Sequence, residues 1–437
     1  MVNSERPLRV LWFANTPGLS QHHLNKTSGG GWISSLQHGV ESLPDVKLGF
    51  VFYSEDQIEP FAVGNTRYYP VRKIGHSKKA RLLNRVTSKT EYKENLPNFL
   101  RIIKDFQPDI IHVHGTEFSF GLIVKHVHDI PIVVSIQGNL TVYEKKYFSG
   151  INMPAFIQQL KAGYPFFKAD FAIWKKRSKI EQEILAGTKY VFGRTDWDKR
   201  ISLVMAPKAR YFHVDEVMRE PFYQIKWEPR SNNTPVFLTT CSASLYKGFE
   251  TIIDTARALK DIRFPFTWLV AGLKEEDALV KLVKKIRNEE NLEELNIRLM
   301  GTLSADDLVK NLLQADIYVQ VSHIENSPNS LCEAMLAGIP IIASFAGGTS
   351  SLLQDRIHGV LVQNGDPYAL AGGLIEITQD PENFVRMART AYQAAHARHD
   401  AHTVVQQLMT AYTDIIREHH AQHNSNAPLP QPISINK

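Results

Sequence analysis

Only two cysteines, Cys241 and Cys332, occur in 437 residues. That is too few for a disulfide framework, and it suits a reducing, cytoplasmic setting. No run approaches the ~20 consecutive apolar residues that a bilayer-spanning helix needs. The apolar run at residues 10–14 is too short for a secretory signal and reads as a strand. No Gly-x-Gly-x-x-Gly follows Ala14, which argues against a nicotinamide dehydrogenase. Zinc-finger, RNP and basic-zipper patterns are missing as well, so nucleic acid is not an expected partner. Seventeen histidines are present, but the groups at 396–402 and 419–423 lie in helical patterns without an acid cage. No metal site and no cofactor are therefore expected.

What is present is length, apolar content and an uneven charge. A chain of 437 residues, 43% of them hydrophobic, is long for one core and natural for two domains. The net charge of +5 divides unequally: residues 1–230 carry 33 Lys/Arg against 22 Asp/Glu, and the remainder 17 against 23. A basic front half points to an anionic acceptor or a lipid surface. The stretch 72–93, with eight basic residues and one acid, and the mixed Lys and aromatic stretch 143–179 fit peripheral contact with an anionic membrane.

Strand-like and helix-like runs alternate almost throughout, the pattern of parallel sheets covered by helices. Strands are expected at 8–14, 46–53, 109–114, 132–136, 190–192 and 211–214. After a polar, turn-rich stretch at 230–235, read as the linker, further strands are expected at 236–240, 267–271, 297–300, 317–321 and 339–343. The expected units are 1–230, joined by a final helix at 403–420, and 231–402, with 421–437 as a disordered tail. Ligands of such sheets bind beyond the carboxyl ends of the strands. The loops after residues 14, 113, 136, 240, 271, 300 and 321 should then surround one cleft.

The segment 325–338, Glu-Asn-Ser-Pro-Asn-Ser-Leu-Cys-Glu-Ala-Met-Leu-Ala-Gly, carries the most chemistry. It reads as a strand end, a polar turn and a helix, with Ser327 as cap, Pro328 in the first turn and Gly338 at the exit. Amides around Ser327, Asn329 and Ser330 would face an anion. Glu325 in the turn suits sugar hydroxyls, and Glu333, about two turns into the helix, suits a ribose. Acids at a helix start are also common as solvated dipole partners. Lys247-Gly248 follows the first strand of the second unit, where an ammonium can neutralise a diphosphate and glycine admits close backbone approach. Gly29-Gly30-Gly31 precedes a helical pattern and offers a second anion-binding loop. His112 and His114 fall on one face of a strand that ends at Gly115.

The 325–338 segment resembles the donor-site signature of glycosyltransferase family 4, retaining enzymes of GT-B architecture. The likeness extends over about 234–370 and, more weakly, over 8–220. It implies an α/β, GT-B fold: two facing Rossmann-like domains, the first holding the acceptor and the second a nucleotide-diphosphate sugar. It also implies transfer of a sugar to a glycan or lipid-linked acceptor with retention, in polysaccharide or glycolipid biosynthesis. By that resemblance Glu325, Lys247 and His114 are catalytic. Gly30, Gly31, Arg194, Lys247, Gly248, Gly301, Ser327, Asn329, Ser330 and Glu333 bind the donor, and Gln137 and Glu117 the acceptor. Two positions depart from the pattern. The family's arginine upstream of Lys247 is missing from 241–246, and Gln137 stands where many members carry a histidine, so that position cannot titrate. An inverting GT-B enzyme and a non-catalytic nucleotide-sugar or glycan binder are the alternatives.

Overall fold

The structure, a computed structural model, describes residues 6–24, 31–73, 90–161, 165–230 and 234–424. Gly29, Gly30, most of the basic 72–93 stretch, part of the 230–235 linker and residues 425–437 lie outside them.

Two α/β sheets form the architecture. The first contains β1 (Leu8–Ala14), β2 (Val46–Ser54), β3 (Phe61–Val63), β4 (Thr66–Arg72), β5 (Ile110–His114), β6 (Ile132–Ser135), β7 (Tyr190–Gly193) and β8 (Arg210–His213), in spatial order β3-β4-β2-β1-β5-β6-β7-β8. All its pairings are parallel except the β3–β4 hairpin. The second contains β9 (Val236–Thr240), β10 (Thr267–Ala271), β11 (Ile297–Gly301), β12 (Ile317–Gln320), β13 (Ile341–Phe345) and β14 (Val360–Gln363), in the order β11-β10-β9-β12-β13-β14. Both are the doubly wound order, and in both the direction of winding reverses between the first and fourth parallel strands. Those reversals, β1/β5 and β9/β12, open the crevices where ligands of such sheets sit. This is the GT-B arrangement. No helix among the described residues is long and apolar enough to cross a membrane.

The central strands are apolar on both faces because helices cover both sides. Leu11, Phe13 and Val113 pack on one side of the first sheet, and Val10, Trp12 and Ile110 on the other. The final helix, Ala401–Asn424, returns to that second side, where Val404, Leu408, Tyr412 and Ile415 are buried with Trp12 and Trp32. It runs through residues 421–424, which were expected to begin a disordered tail.

Two further expectations are corrected. Met218, Phe222 and Trp227 already sit in the core of the second sheet, beside Leu331 and Leu336. The chain therefore crosses between lobes upstream of 230–235, driven by burial of these large side chains. The aromatics of the 143–179 stretch are also mostly turned inward. Tyr147, Phe156 and Phe167 join Leu245, Phe249 and Ile252 in the core of the second sheet, where burial removes each ring from water. Of that stretch, Met153, Ile157 and Phe166 stay exposed.

Candidate active site

Lys247 and Gly248 stand at the start of the helix Phe249–Asp261, after β9. Gly248 has φ +78°, and a Cβ there would come within 2.2 Å of the Val321 carbonyl oxygen. Only glycine fits, and the turn it permits aims Lys247 at the loop after β12. Lys247 Nζ donates to Glu325 Oε1 at 2.5 Å. Burial by itself would lower the Lys247 pKa, but the Glu325 carboxylate outweighs it and holds the ammonium above its usual range. Glu325 was expected to be free for sugar hydroxyls; here it is also the counter-ion of the other catalytic candidate.

Gly347 and Gly348 build the floor of this loop. Gly347 has φ +56° and lies so close to the Glu325 carbonyl that a Cβ would approach it to 2.0 Å, while the Gly348 amide donates to the same oxygen at 2.9 Å. Asn326 then reaches across the cleft. Its side-chain amide donates to the Ile136 and Gln137 carbonyls, both at 3.2 Å, and its Oδ1 accepts from the Thr195 hydroxyl at 2.7 Å. One side chain of the second lobe thus ties together the strand ends of β6 and β7.

The helix Asn329–Ala337 departs from expectation at its start. Pro328 is the cap residue, with no side-chain cap hydrogen bond, and Gly338 ends the helix at φ +76°. Ser327 does not cap. Its hydroxyl bonds the Glu216 carboxylate, fully buried in the segment between the lobes. The first helical bonds run from Leu331 and Cys332 to the Pro328 carbonyl, so the Asn329 and Ser330 amides precede the helical ladder. Glu333 is buried within this helix, and Arg219 holds it by a two-pronged ion pair, Nε to Oε1 at 2.7 Å and Nη2 to Oε2 at 2.8 Å. Burial raises the Glu333 pKa and the guanidinium partly offsets this. Gly301, at φ +65°, ends β11 beside the Lys274 side chain.

The facing wall comes from the first lobe. The His112 and His114 rings lie 3.7 Å apart on one face of β5. His112 is fully engaged: Nδ1 lies 2.6 Å from the Tyr412 hydroxyl and Nε2 2.5 Å from the Ser135 hydroxyl. Neither ring nitrogen of His114 has a partner. Burial, with the Arg194 charge, lowers its pKa to about 3, so the ring is neutral at physiological pH, able to accept from one nitrogen and donate from the other. The Arg194 guanidinium stacks over Trp32 at 4.2 Å and approaches Glu216 at 3.6 Å. Thr195 caps the helix Asp196–Met205 in a capping box with Asp198. Gly31 is the first residue of the helix Gly31–Glu41.

Glu117 and Gln137 lie together beside Gly115, where a Cβ would meet Glu117 Oε2 at 2.0 Å and Gln137 Cδ at 3.2 Å. Glu117 Oε2 and Gln137 Nε2 are buried without partners. Burial raises the Glu117 pKa from 4.5 to about 7, with the Glu181 charge adding to it and the Gly138 amide opposing it. Glu181 positions this loop. Its carboxylate accepts from Thr116 Oγ1 at 2.6 Å, Leu140 N at 3.0 Å and Thr141 N at 2.7 Å. Tyr143 and Tyr246, with rings 5.2 Å apart, complete the wall between Glu117 and Glu325.

The raised Glu117 pKa has a stability consequence. Between pH 4.5 and 7 the folded state holds a proton that the unfolded chain has released, so stability falls as pH rises through that window. Glu117→Gln removes this slope. At pH 8 the variant should exceed the wild type by up to about 3 kcal/mol, while at pH 4.5 the two should agree. Urea denaturation of both proteins across this range checks it, and a constant difference between the curves would contradict it.

Sequence reading missed Asn326, Glu216, Arg219, Tyr143, Tyr246 and Glu181. Asn326 had a signal, its place between Glu325 and Ser327. The others act through contacts between segments distant in the chain. Among the described residues no group of three or more His, Cys, Asp or Glu is placed to hold a metal ion.

A strand-loop-helix lysine paired with a turn glutamate, a helix start without a side-chain cap and a second glutamate eight residues on lie around the β9/β12 crevice. Residues 223–394 match the family model "Glycosyl transferases group 1". The match covers the second lobe, which is similar to this family. Among curated relatives, the amylovoran biosynthesis glycosyltransferase AmsK of Erwinia amylovora is 26% identical over 219 residues, 48% of this chain and 53% of that protein. The chain thus spans about half or less of the length of the first curated relatives it matches. Among solved structures, sucrose-phosphate synthase from Thermosynechococcus elongatus superposes with TM-score 0.69 at 14% identity, covering 94% of this chain and 100% of that one. Anabaena HepE, in complex with UDP-glucose, superposes with TM-score 0.61 at 16% identity, covering 93% and 100%. These two likenesses are of fold.

Proposed function

We propose that this protein moves a sugar from a nucleotide-diphosphate sugar to a glycan or lipid-linked acceptor with retention of anomeric configuration. The observation that carries the reading is the Lys247–Glu325 pair at 2.5 Å, just ahead of the helix that starts at Asn329. The solved HepE complex contains UDP-glucose, which supports a nucleotide-sugar donor for this chain too.

The diphosphate leaves first, stabilised by Lys247 and by the amides ahead of the helix. Glu325 holds sugar hydroxyls as positive charge develops on the ring. His114, neutral and with both nitrogens free, orients the sugar by accepting from one hydroxyl and donating to another. The departing phosphate takes the acceptor proton on the same face of the ring, so the new bond forms where the old one broke. Glu117 and Gln137 present unpaired polar atoms to the acceptor. Because ammonium and amides supply the positive charge, the scheme needs no divalent cation, and transfer should persist undiminished in EDTA; absolute dependence on Mn²⁺ would refute it. In this reading the basic first lobe meets a lipid-linked acceptor at the inner face of a membrane.

A thermal-shift panel of UDP-, GDP- and ADP-sugars tests the donor, since a ligand that binds the folded state alone raises the melting temperature by mass action. One base should shift Tm clearly above the others. NMR of the product's anomeric carbon then separates retention from inversion. Donor binding without transfer to any acceptor or to water would favour a non-catalytic sugar-nucleotide binder.

A further inference from the structure

The loop after β9 offers a diphosphate only one cation. Lys247 is its only basic residue between 241 and 248, and that ammonium already serves Glu325. Arg194 is almost wholly buried, stacked on Trp32 and flanked by Glu216. Arg219 is placed differently. It lies in the crossing between the lobes, its guanidinium 4.8 Å over the Phe222 ring. Its stem packs against Gly31, so tightly that a Cβ there would meet Arg219 Cδ at 2.7 Å. Its side chain is 31% exposed, whereas that of its partner Glu333 is 4% exposed. The guanidinium therefore caps a buried carboxylate from the cleft side, within one side-chain length of the first lobe's glycine.

We propose that Arg219 is the second diphosphate-binding cation and that it also guards Glu333 until a nucleotide arrives. The inference rests on the reading of Glu333 as the ribose ligand. A buried carboxylate without a partner is costly, so an empty site needs an internal cation, and Arg219 supplies it. Ribose hydroxyls replace the two guanidinium bonds when the nucleotide enters. The released fork then meets the phosphates beside Gly31, where arginine's paired donors match phosphate oxygens. Nucleoside and diphosphate thus play opposite parts at one residue: the ribose competes with Arg219 and the diphosphate recruits it.

The test is calorimetric titration of the full chain with uridine, guanosine and adenosine and with their diphosphates, for wild type, Arg219→Met and Glu333→Gln. In wild type the diphosphate of the preferred base binds more tightly than its nucleoside. In Arg219→Met that ratio should fall about tenfold or more, with diphosphate binding less sensitive to salt and nucleoside binding undiminished. Glu333→Gln should do the reverse, weakening the nucleoside and keeping the diphosphate advantage. Should Arg219→Met fold poorly, Glu333→Gln, which leaves only the part-exposed Arg219 without its counter-ion, still reads the exchange. An unchanged ratio in Arg219→Met, or nucleoside and diphosphate weakened equally, would overturn the inference while leaving the donor reading intact. If no nucleotide bound wild type, the donor reading would fall first and Arg219's role with it.

Discussion

Replacing Lys247 with alanine is expected to lower kcat about 100- to 1000-fold, the usual range for losing one preorganised charge at a developing anion, and to lower thermal stability as well, because it strands the buried Glu325 carboxylate. Two effects add. The diphosphate loses the ammonium that neutralises it as the glycosidic bond breaks. Glu325 also loses its counter-ion, so a second negative charge then stands near the leaving group. Lys247→Arg should rescue little. The turn at Gly248 is closed by the Val321 carbonyl, and a planar fork cannot replace a compact ammonium there. Initial rates with labelled donor, measured beside a melting curve, decide the matter. Near-wild-type turnover in Lys247→Ala would remove this lysine from the mechanism.

The contrast between what was and was not legible follows from where each interaction lives. β1, β5, β9 and β10 could be read because strands buried on both faces carry predominantly apolar runs, a property of the local sequence. The 325–338 segment was legible for the same reason, since its turn, helix and terminal glycine all lie within one stretch. The β3–β4 hairpin was missed because it is short and β3 is largely exposed at the sheet edge. The 143–179 stretch was read as a lipid-facing surface because the apolar partners of Tyr147, Phe156 and Phe167, among them Leu245 and Phe249, lie far along the chain in the other lobe. Ser327 looked like a cap because a serine before a helix usually is one. Glu216, from 111 positions away, takes that hydroxyl instead. The Arg219–Glu333 pair spans 114 positions. No spacing rule reaches such pairs, which exist only once the two lobes meet.

Glu325→Ala should rival Lys247→Ala, at about 100- to 1000-fold in kcat, while Glu325→Gln separates the two duties of this carboxylate. Glutamine keeps an acceptor for sugar hydroxyls, so donor binding should survive. It cannot face a positive ring with negative charge, so kcat should fall nearly as far as in the alanine variant. Glu325 and Lys247 are in direct contact, and each removal leaves the other's charge unbalanced. The double variant Lys247→Ala, Glu325→Ala should therefore lose less than the product of the single losses, with a coupling of about 0.5–3 kcal/mol. The loop itself should hold its shape, because the Glu325 carbonyl stays bonded to the Gly348 amide and Asn326 keeps its three contacts across the cleft. Strict multiplicativity of the two losses would mean that lysine and glutamate act on separate steps. Full turnover in Glu325→Ala would mean that the charge facing the sugar ring comes from another residue, with Glu117 the first to examine.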